Sequence, residues 1–418
     1  MVLLVLINVP IAVALCIAAV AAMLATQGSD ALLNAPIALY QGATSFPLIA
    51  IPLFILAAAI MNTSGISHRL IDFCQALVGW MRGALAQVNV LSHMFFAEIS
   101  GSAVAGVAAT ASIIIPAMKK RGYPGPFSAA VTSSTATLAI ILPPSIPMIL
   151  YAVMAGTSVV QMFVAGIVPG LIAGFGMMAL CYWFAVRNGW PVEEIFQWGK
   201  LWRAFKQAFW ALTLPVIILG GIFGGVVTAT EGAALAVVAA ILVGGLAYRE
   251  LDWGRLRAAI VDGAVQTGTV MLLVAASALL GLYLTEVQLP QRIAAAMLAI
   301  TSDKWAILAI MNVFFLIIGM FLHSAAAIIL VVPIVMPAVS AAGIDPVHFG
   351  VVVTLNLAIG QQTPPVASVL LLTCSIAKES VWDVTRANIP FIGVLLATLL
   401  FVTYVPVTTL GLVQLFYR

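Results

Sequence analysis

Prolines recur in this chain at a fixed offset, and no other feature constrains its fold as much. Pro116, Pro143, Pro144 and Pro169 are matched 221 positions later by Pro337, Pro364, Pro365 and Pro390, and Gly122 is matched by Gly343. Twelve prolines lie early enough to have a partner at that shift. At about one proline in twenty residues, roughly 0.6 coincidences are expected, so four mark an internal repeat. Proline removes a backbone donor and clashes with the preceding turn, so paired prolines in apolar segments predict paired breaks in helices. A repeat with Gly/Pro-interrupted hydrophobic segments in matching places is the pattern of a two-halved carrier whose site lies where the halves meet.

Composition sets the compartment. With 63% hydrophobic and 7% charged residues, a water-soluble fold has too little polar surface to clothe itself, and an all-α polytopic membrane protein is expected. Residues 1–24 carry no basic n-region and no small-residue cleavage site, so they read as a retained transmembrane helix. Cys16, Cys74, Cys181 and Cys374 stand singly in apolar stretches, which suits packing better than metal or redox chemistry.

Hydropathy predicts full spans near 1–25, 46–62, 124–155, 160–186, 208–224, 230–247, 266–284, 346–377 and 388–410. Two further apolar stretches, 84–118 and 304–340, carry a polar interruption midway. From Ala84 to Ile99 a helix reaches only about 24 Å, short of the roughly 30 Å hydrocarbon core. Both stretches are therefore predicted to be re-entrant hairpins, whose irregular backbone must be buried in protein or line a wet cavity. With the amino terminus cytoplasmic, the outer side keeps only Arg292, Lys304 and Arg418 of the 17 Lys and Arg residues. That asymmetry obeys the positive-inside rule, places the carboxy terminus outside and makes the two hairpins enter from opposite faces.

The expected organisation is scaffold helices and a first arm over 1–83, a first transport repeat over 84–170, and scaffold with a linking arm over 171–265. A scaffold helix and outer arm over 266–303, a second transport repeat over 304–390 and a C-terminal helix over 391–418 complete it. Amphipathic arms are read at Ile66 to Trp80, at Gln288 to Ile300, and where Trp190, Trp198, Trp202 and Trp210 interleave with Lys200, Arg203 and Lys206. Such segments anchor at the lipid surface.

Each half holds the same two devices. The first hairpin tip is Ser100-Gly101-Ser102 and the following span is broken at Leu142-Pro143-Pro144-Ser145; the second tip is His323-Ser324 and its break runs Gly360-Gln361-Gln362-Thr363-Pro364-Pro365. Freed carbonyls and hydroxyls suit a small hard cation such as Na⁺, and new half-helix amino termini offer N–H groups to an anion. The bland alternative is that the prolines only kink packed helices.

The run from Ile99 to Lys120, the Pro-Pro-Ser break, the run from Phe163 to Gly170 and the Thr-Pro-Pro break resemble the large membrane subunit of tripartite ATP-independent periplasmic (TRAP) transporters over nearly the whole chain. The resemblance implies an elevator-type, Na⁺-driven carrier in the bacterial inner membrane. It also implies a small four-helix membrane subunit, a periplasmic substrate-binding protein and an organic-anion cargo such as a dicarboxylate or sugar acid. By the same resemblance one cation site would use Ser100, Gly101 and Ser102 with Leu142 and Pro143, and a second would use Ser324 with Gly360 and Thr363. Substrate would be met by Ser100, Ser102, Ser145, His323, Ser324, Gln361 and Gln362. This chain departs from the family pattern with Ala139 before the first break, Ala367 after the second and His323 where an acidic residue is common.

Other polar residues divide between function and architecture. Glu98 lies two residues before the first tip, where an ionisable group is a functional candidate or a contact in a hydrated crevice. His323 could titrate near neutral pH or simply bond the tip. Thr228 and Glu231 fit a capping box opening the next helix. Of Gln361 and Gln362, at least one is expected to face the cavity. No Lys or Arg falls in either tip or break, so bound Na⁺ and helix amino termini would supply the positive potential for an anion. No nucleotide-binding motif, metal-ligand spacing or nucleophile constellation is present, and neither an organic cofactor nor nucleic acid is expected. A stand-alone ion-coupled carrier and an ion channel remain the alternative readings.

Overall fold

The computed structural model describes residues 9–190, 192 and 195–417, and for residues 98–100 and 109 the backbone alone. Four helices open the chain: α1 (Ile11–Gln27), α2 (Ala35–Ala43), α3 (Ala50–Thr63) and α4 (Ile66–Val78). The first repeat follows as α5 (Ala84–Ser100), α6 (Ala103–Lys120), α7 (Gly125–Ala136), the short α8 (Leu138–Ile141), α9 (Ile146–Ala155) and α10 (Val159–Arg187). Between the repeats lie α11 (Trp198–Phe223), α12 (Ala229–Leu242), α13 (Trp253–Glu286) and α14 (Leu289–Ile300). The second repeat is α15 (Lys304–Phe321), α16 (Ser324–Ala341), α17 (Pro346–Gly360), α18 (Ser368–Ala377) and α19 (Val381–Tyr404), and α20 (Val407–Phe416) ends the chain.

The proline offset holds for the helices themselves. Shifting the starts of α6 and α7, Ala103 and Gly125, by 221 gives Ser324 and Pro346, the starts of α16 and α17. The starts of α5, α9 and α10 fall within one residue of those of α15, α18 and α19. Local backbone repeats as well: Pro143-Pro144 and Pro364-Pro365 are both cis, and Gly122 and Gly343 both adopt positive φ, 83° and 65°. A left-handed residue just past a helix end is a role glycine fills without a Cβ clash, which explains why glycine recurs there.

The repeats run in opposite directions, as two contacts demonstrate. Lys119, ending α6, donates to the Ala377 carbonyl at 2.7 Å and pairs with Glu379, so the connection entering the first broken helix sits beside the connection leaving the second. At the other end Tyr151 Oη donates to the Pro346 carbonyl at 2.6 Å, joining the exit of the first broken helix to the entrance of the second. Entrance and exit are opposite ends of a spanning helix, so the two helices are antiparallel.

Around this core lies a second bundle in which α3 packs on α12 and α13, α13 also packs on α1 and α2, and α4 packs on α11. Thr228 and Glu231 form the expected reciprocal capping box at the start of α12, with bonds of 3.2 and 2.7 Å. Several boundaries differ from the hydropathy reading. Trp198, Trp202 and Trp210 of the tryptophan-rich arm and the span near 208–224 form one continuous helix, α11, whereas Trp190 lies before it and packs on Tyr123 and Phe127; the span near 266–284 lies within the 34-residue α13. The last span ends at Tyr404, and Pro406 opens the separate helix α20. Each arm of the second hairpin is 18 residues and as apolar as a spanning helix, so length alone does not mark it as re-entrant; its place in the repeat does. Of the expected span 1–25, residues 1–8 lie outside the described residues.

Candidate functional site

Each hairpin tip is built by backbone geometry and seated on its own break. After α5, Gly101 turns left-handed (φ 56°) and Ser102 is extended, its hydroxyl accepting from the Ala105 N–H at 3.5 Å to cap α6. The Gly101 carbonyl accepts from the Ile146 N–H at 3.3 Å, tying the first tip to the first break. A Cβ on Gly101 would meet the Pro144 carbonyl oxygen at 2.7 Å, so only glycine allows this approach. In the second repeat Leu322 is extended, His323 Nδ1 accepts from the Ala325 N–H at 3.4 Å, and the Val366 N–H donates to the Met320 carbonyl at 3.2 Å.

Both tips and both breaks open onto one cavity of about 440 Å³, within the range of small-molecule sites. Gly101, Ser102, His323 and Ser324 reach it from the tips, Ile140 and Ile146 from the first break, and Gln361 from the second. Gln361 is 1% exposed and neither amide atom has a hydrogen-bond partner among the described residues; Ser324 Oγ is likewise buried and unpartnered. A buried amide or hydroxyl without a partner is costly, and a bound ligand or cation is the natural complement. The amino termini of α6, α9 and α16 all lie at the wall, and among the described residues no Lys or Arg lines it. Positive potential there comes from helix ends, which bind anions without a fixed cation.

The remaining sequence-predicted groups lie beside the cavity. Ser145 is fully buried, donates to the Ile140 carbonyl at 2.7 Å and caps α9 by accepting from the Met148 N–H. Thr363 Oγ1 donates to the Ile359 carbonyl at 3.0 Å. Leu142 leaves the helix in an extended conformation, followed by the cis bond of Pro143. Gly360 packs against Gly319, where an added Cβ would come within 2.4 Å of backbone. The side chains of Glu98 and Ser100 lie outside the described residues.

Of the two amides, Gln361 faces the cavity and Gln362 does not. Gln362 Nε2 donates to the Ser133 carbonyl at 2.7 Å, while its Oε1 accepts from Ser133 Oγ and, at 3.3 Å, from Asn388 Nδ2. Ser134 Oγ donates to Asn388 Oδ1. All four residues are 0% exposed, so this polar clamp joins the first half of one broken helix to the break of the other. Sequence reading missed the clamp because Ser133 and Ser134 sit in a hydroxyl-rich helix whose members usually bond back to their own carbonyls, as Thr132 and Thr135 do here. It also missed buried His93, held by the Asn89 carbonyl (2.9 Å), Thr110 (2.9 Å) and Thr135 (3.1 Å). The only sequence signal for it was a histidine inside an apolar hairpin.

The family described as the DctM component of the tripartite ATP-independent periplasmic transporter matches residues 1–408. The isethionate TRAP transporter permease protein DctMQ of Oleidesulfovibrio alaskensis is 41% identical over 96% of this chain, which spans 63% of that relative's length. The C4-dicarboxylate TRAP transporter large permease protein DctM of Vibrio cholerae is 36% identical over 96% of this chain and 93% of its own. Among solved structures, the YdaH transporter of Alcanivorax borkumensis superposes with a TM-score of 0.67, covering 91% of this chain and 89% of its own at 16% identity; it shares the fold. The inverted repeats, the paired Pro-Pro breaks and these matches agree, and the chain belongs to the DctM family of TRAP transporter large permease proteins.

Proposed function

We propose that this chain carries a small organic anion into the cell by Na⁺-coupled, elevator-type alternating access, in the bacterial inner membrane with the amino terminus cytoplasmic and the carboxy terminus periplasmic. A small four-helix membrane subunit completes the membrane part, and a periplasmic binding protein delivers the cargo. The observation that carries this reading is the convergence of both tips and both breaks on one cavity walled by three helix amino termini. A channel needs a continuous path, whereas antiparallel hairpins closing on one cavity suit alternating exposure of a fixed site. The names of the relatives, isethionate and C4-dicarboxylate transporters, support a small organic anion as the cargo.

Na⁺ is a substrate here. Backbone oxygens near Gly101, Ser102, Leu142 and Pro143 would serve one ion, and Ser324 with carbonyls near Gly360 and Thr363 another. Ser324 supports the fit because its buried hydroxyl lacks any other partner among the described residues. Each ion would add positive charge to a cavity with no Lys or Arg among its described lining residues, so ion and anion binding are cooperative. Anion affinity of the purified permease complex, measured in sodium and in choline buffer, tests this: affinity should fall at least tenfold in choline, and equal affinity would refute the coupling.

A further inference from the structure

The cavity has a wall that neither repeat supplies. Val265, Gln266, Thr269 and Val270 of α13, with Ile55 of α3, close it on the side of the outer bundle. Gln266 and Thr269 lie three residues apart on one face of α13, a helix long and apolar enough to cross a membrane, with Asp262 one turn before Gln266. Thr269 Oγ1 donates to the Val265 carbonyl at 3.0 Å and keeps its lone pairs. Gln266 makes no hydrogen bond to any described residue. Both side chains are exposed and line the same cavity as both hairpin tips, which places them beside the site. A polar side chain on such a helix is stable where it meets water or a partner.

We propose that α13 is part of the cargo site: Gln266 and Thr269 contact the bound anion from the outer bundle, opposite Gln361 and Ser324. This rests on the carrier reading above. The four groups are neutral donors and acceptors, so they recognise oxygens distributed along a carbon chain better than an isolated charge. A cargo lacking those oxygens would leave them unpaired, which is how a polar site rejects an analogue. The cargo class that fits is a polyoxygenated small anion, such as a hydroxy acid. If the core slides along the outer bundle, the contact with α13 exists in only one state, so α13 selects cargo there and releases it on movement.

The test uses the full permease complex in nanodiscs with sodium present, and tartrate, succinate, gluconate and isethionate as probes. Gln266→Lys should tighten binding and Gln266→Glu weaken it, each about tenfold, because a unit charge roughly 6 Å from an anion at an intermediate effective dielectric changes affinity by that order. Gln266→Leu and Thr269→Val should each weaken binding about three- to tenfold. Both should also shrink the preference for tartrate over succinate, two anions that differ only by hydroxyls. Affinities within twofold of wild type in all four variants would overturn the contact, and a wild-type preference for succinate would overturn the polyoxygenated class. A wild-type complex that binds none of the probes would overturn the cargo reading itself, an outcome distinguishable because it appears before any substitution is made.

Discussion

Replacing Gln362 with leucine, similar in size but without polar atoms, should cost more than any other single change at the junction of the repeats. The substitution removes three hydrogen bonds in a region with no exposure, and strips the Ser133 hydroxyl and one Asn388 N–H of the partner they have in this structure. Each buried group left unpaired costs about 1–3 kcal/mol, so the two together give roughly 2–6 kcal/mol, a large share of the total stability of a typical domain, about 5–15 kcal/mol. The sharper test is a double-mutant cycle. Ser133→Ala in the Gln362→Leu background removes one orphaned group, so the pair should be less destabilising than the sum of the single changes by about 1–2 kcal/mol. Unfolding of the purified protein, followed by helicity during titration from mild into denaturing detergent, reads both quantities. A Gln362→Leu protein within about 0.5 kcal/mol of wild type, or an additive cycle, would refute the clamp.

Gly360→Ala places a Cβ within 2.4 Å of the Gly319 carbonyl carbon, whereas Gly319→Ala meets Gly360 Cα at 3.1 Å. The first should therefore destabilise more, by about 1–3 kcal/mol, read as a larger fall in apparent Tm. Ala367 adopts φ 42° at the start of α18, where an L side chain costs roughly 1–2 kcal/mol; Ala367→Gly should raise the apparent Tm, and a fall would show that the alanine methyl matters more than the strain. At the surface Arg69 bonds Glu250 at 2.6 Å and holds that carboxyl below the usual carboxylate range. A lowered folded-state value means that the ion pair stabilises in full above the ordinary carboxylate range and that this is lost as pH falls through the folded value. The Tm gap between wild type and Glu250→Gln should accordingly be present at neutral pH and close in acid, and a gap independent of pH would contradict the pairing.

Much of the fold was legible because proline and glycine act through backbone alone. Their offset specified the hairpins, the breaks and the pairing of elements, and Ser102, Gly101 and Pro144 occupy places that only those local conformations explain. Helix boundaries were less legible. An apolar helix such as α13 carries no signal for where it leaves the membrane, and α11 runs unbroken from Trp198 to Phe223 while packing against α4, a contact between segments far apart in the chain. At the site, sequence identified the tips and breaks but could not separate Gln361 from Gln362, since which of two adjacent amides turns inward depends on Ser133 and Asn388, far away in the chain. Gln266 was invisible for a related reason: its meaning comes from the cavity beside it, which forms only when α13 meets both tips.

Uptake by proteoliposomes tests the central claim most directly. The vesicles would hold this chain with its small subunit and be given the loaded binding protein, with an inward Na⁺ gradient that can be collapsed at will. Accumulation that needs both the gradient and the binding protein, and stops when either is withdrawn, is the predicted result. Uptake that proceeds at full rate without the binding protein, or a flux indifferent to the gradient, would contradict it.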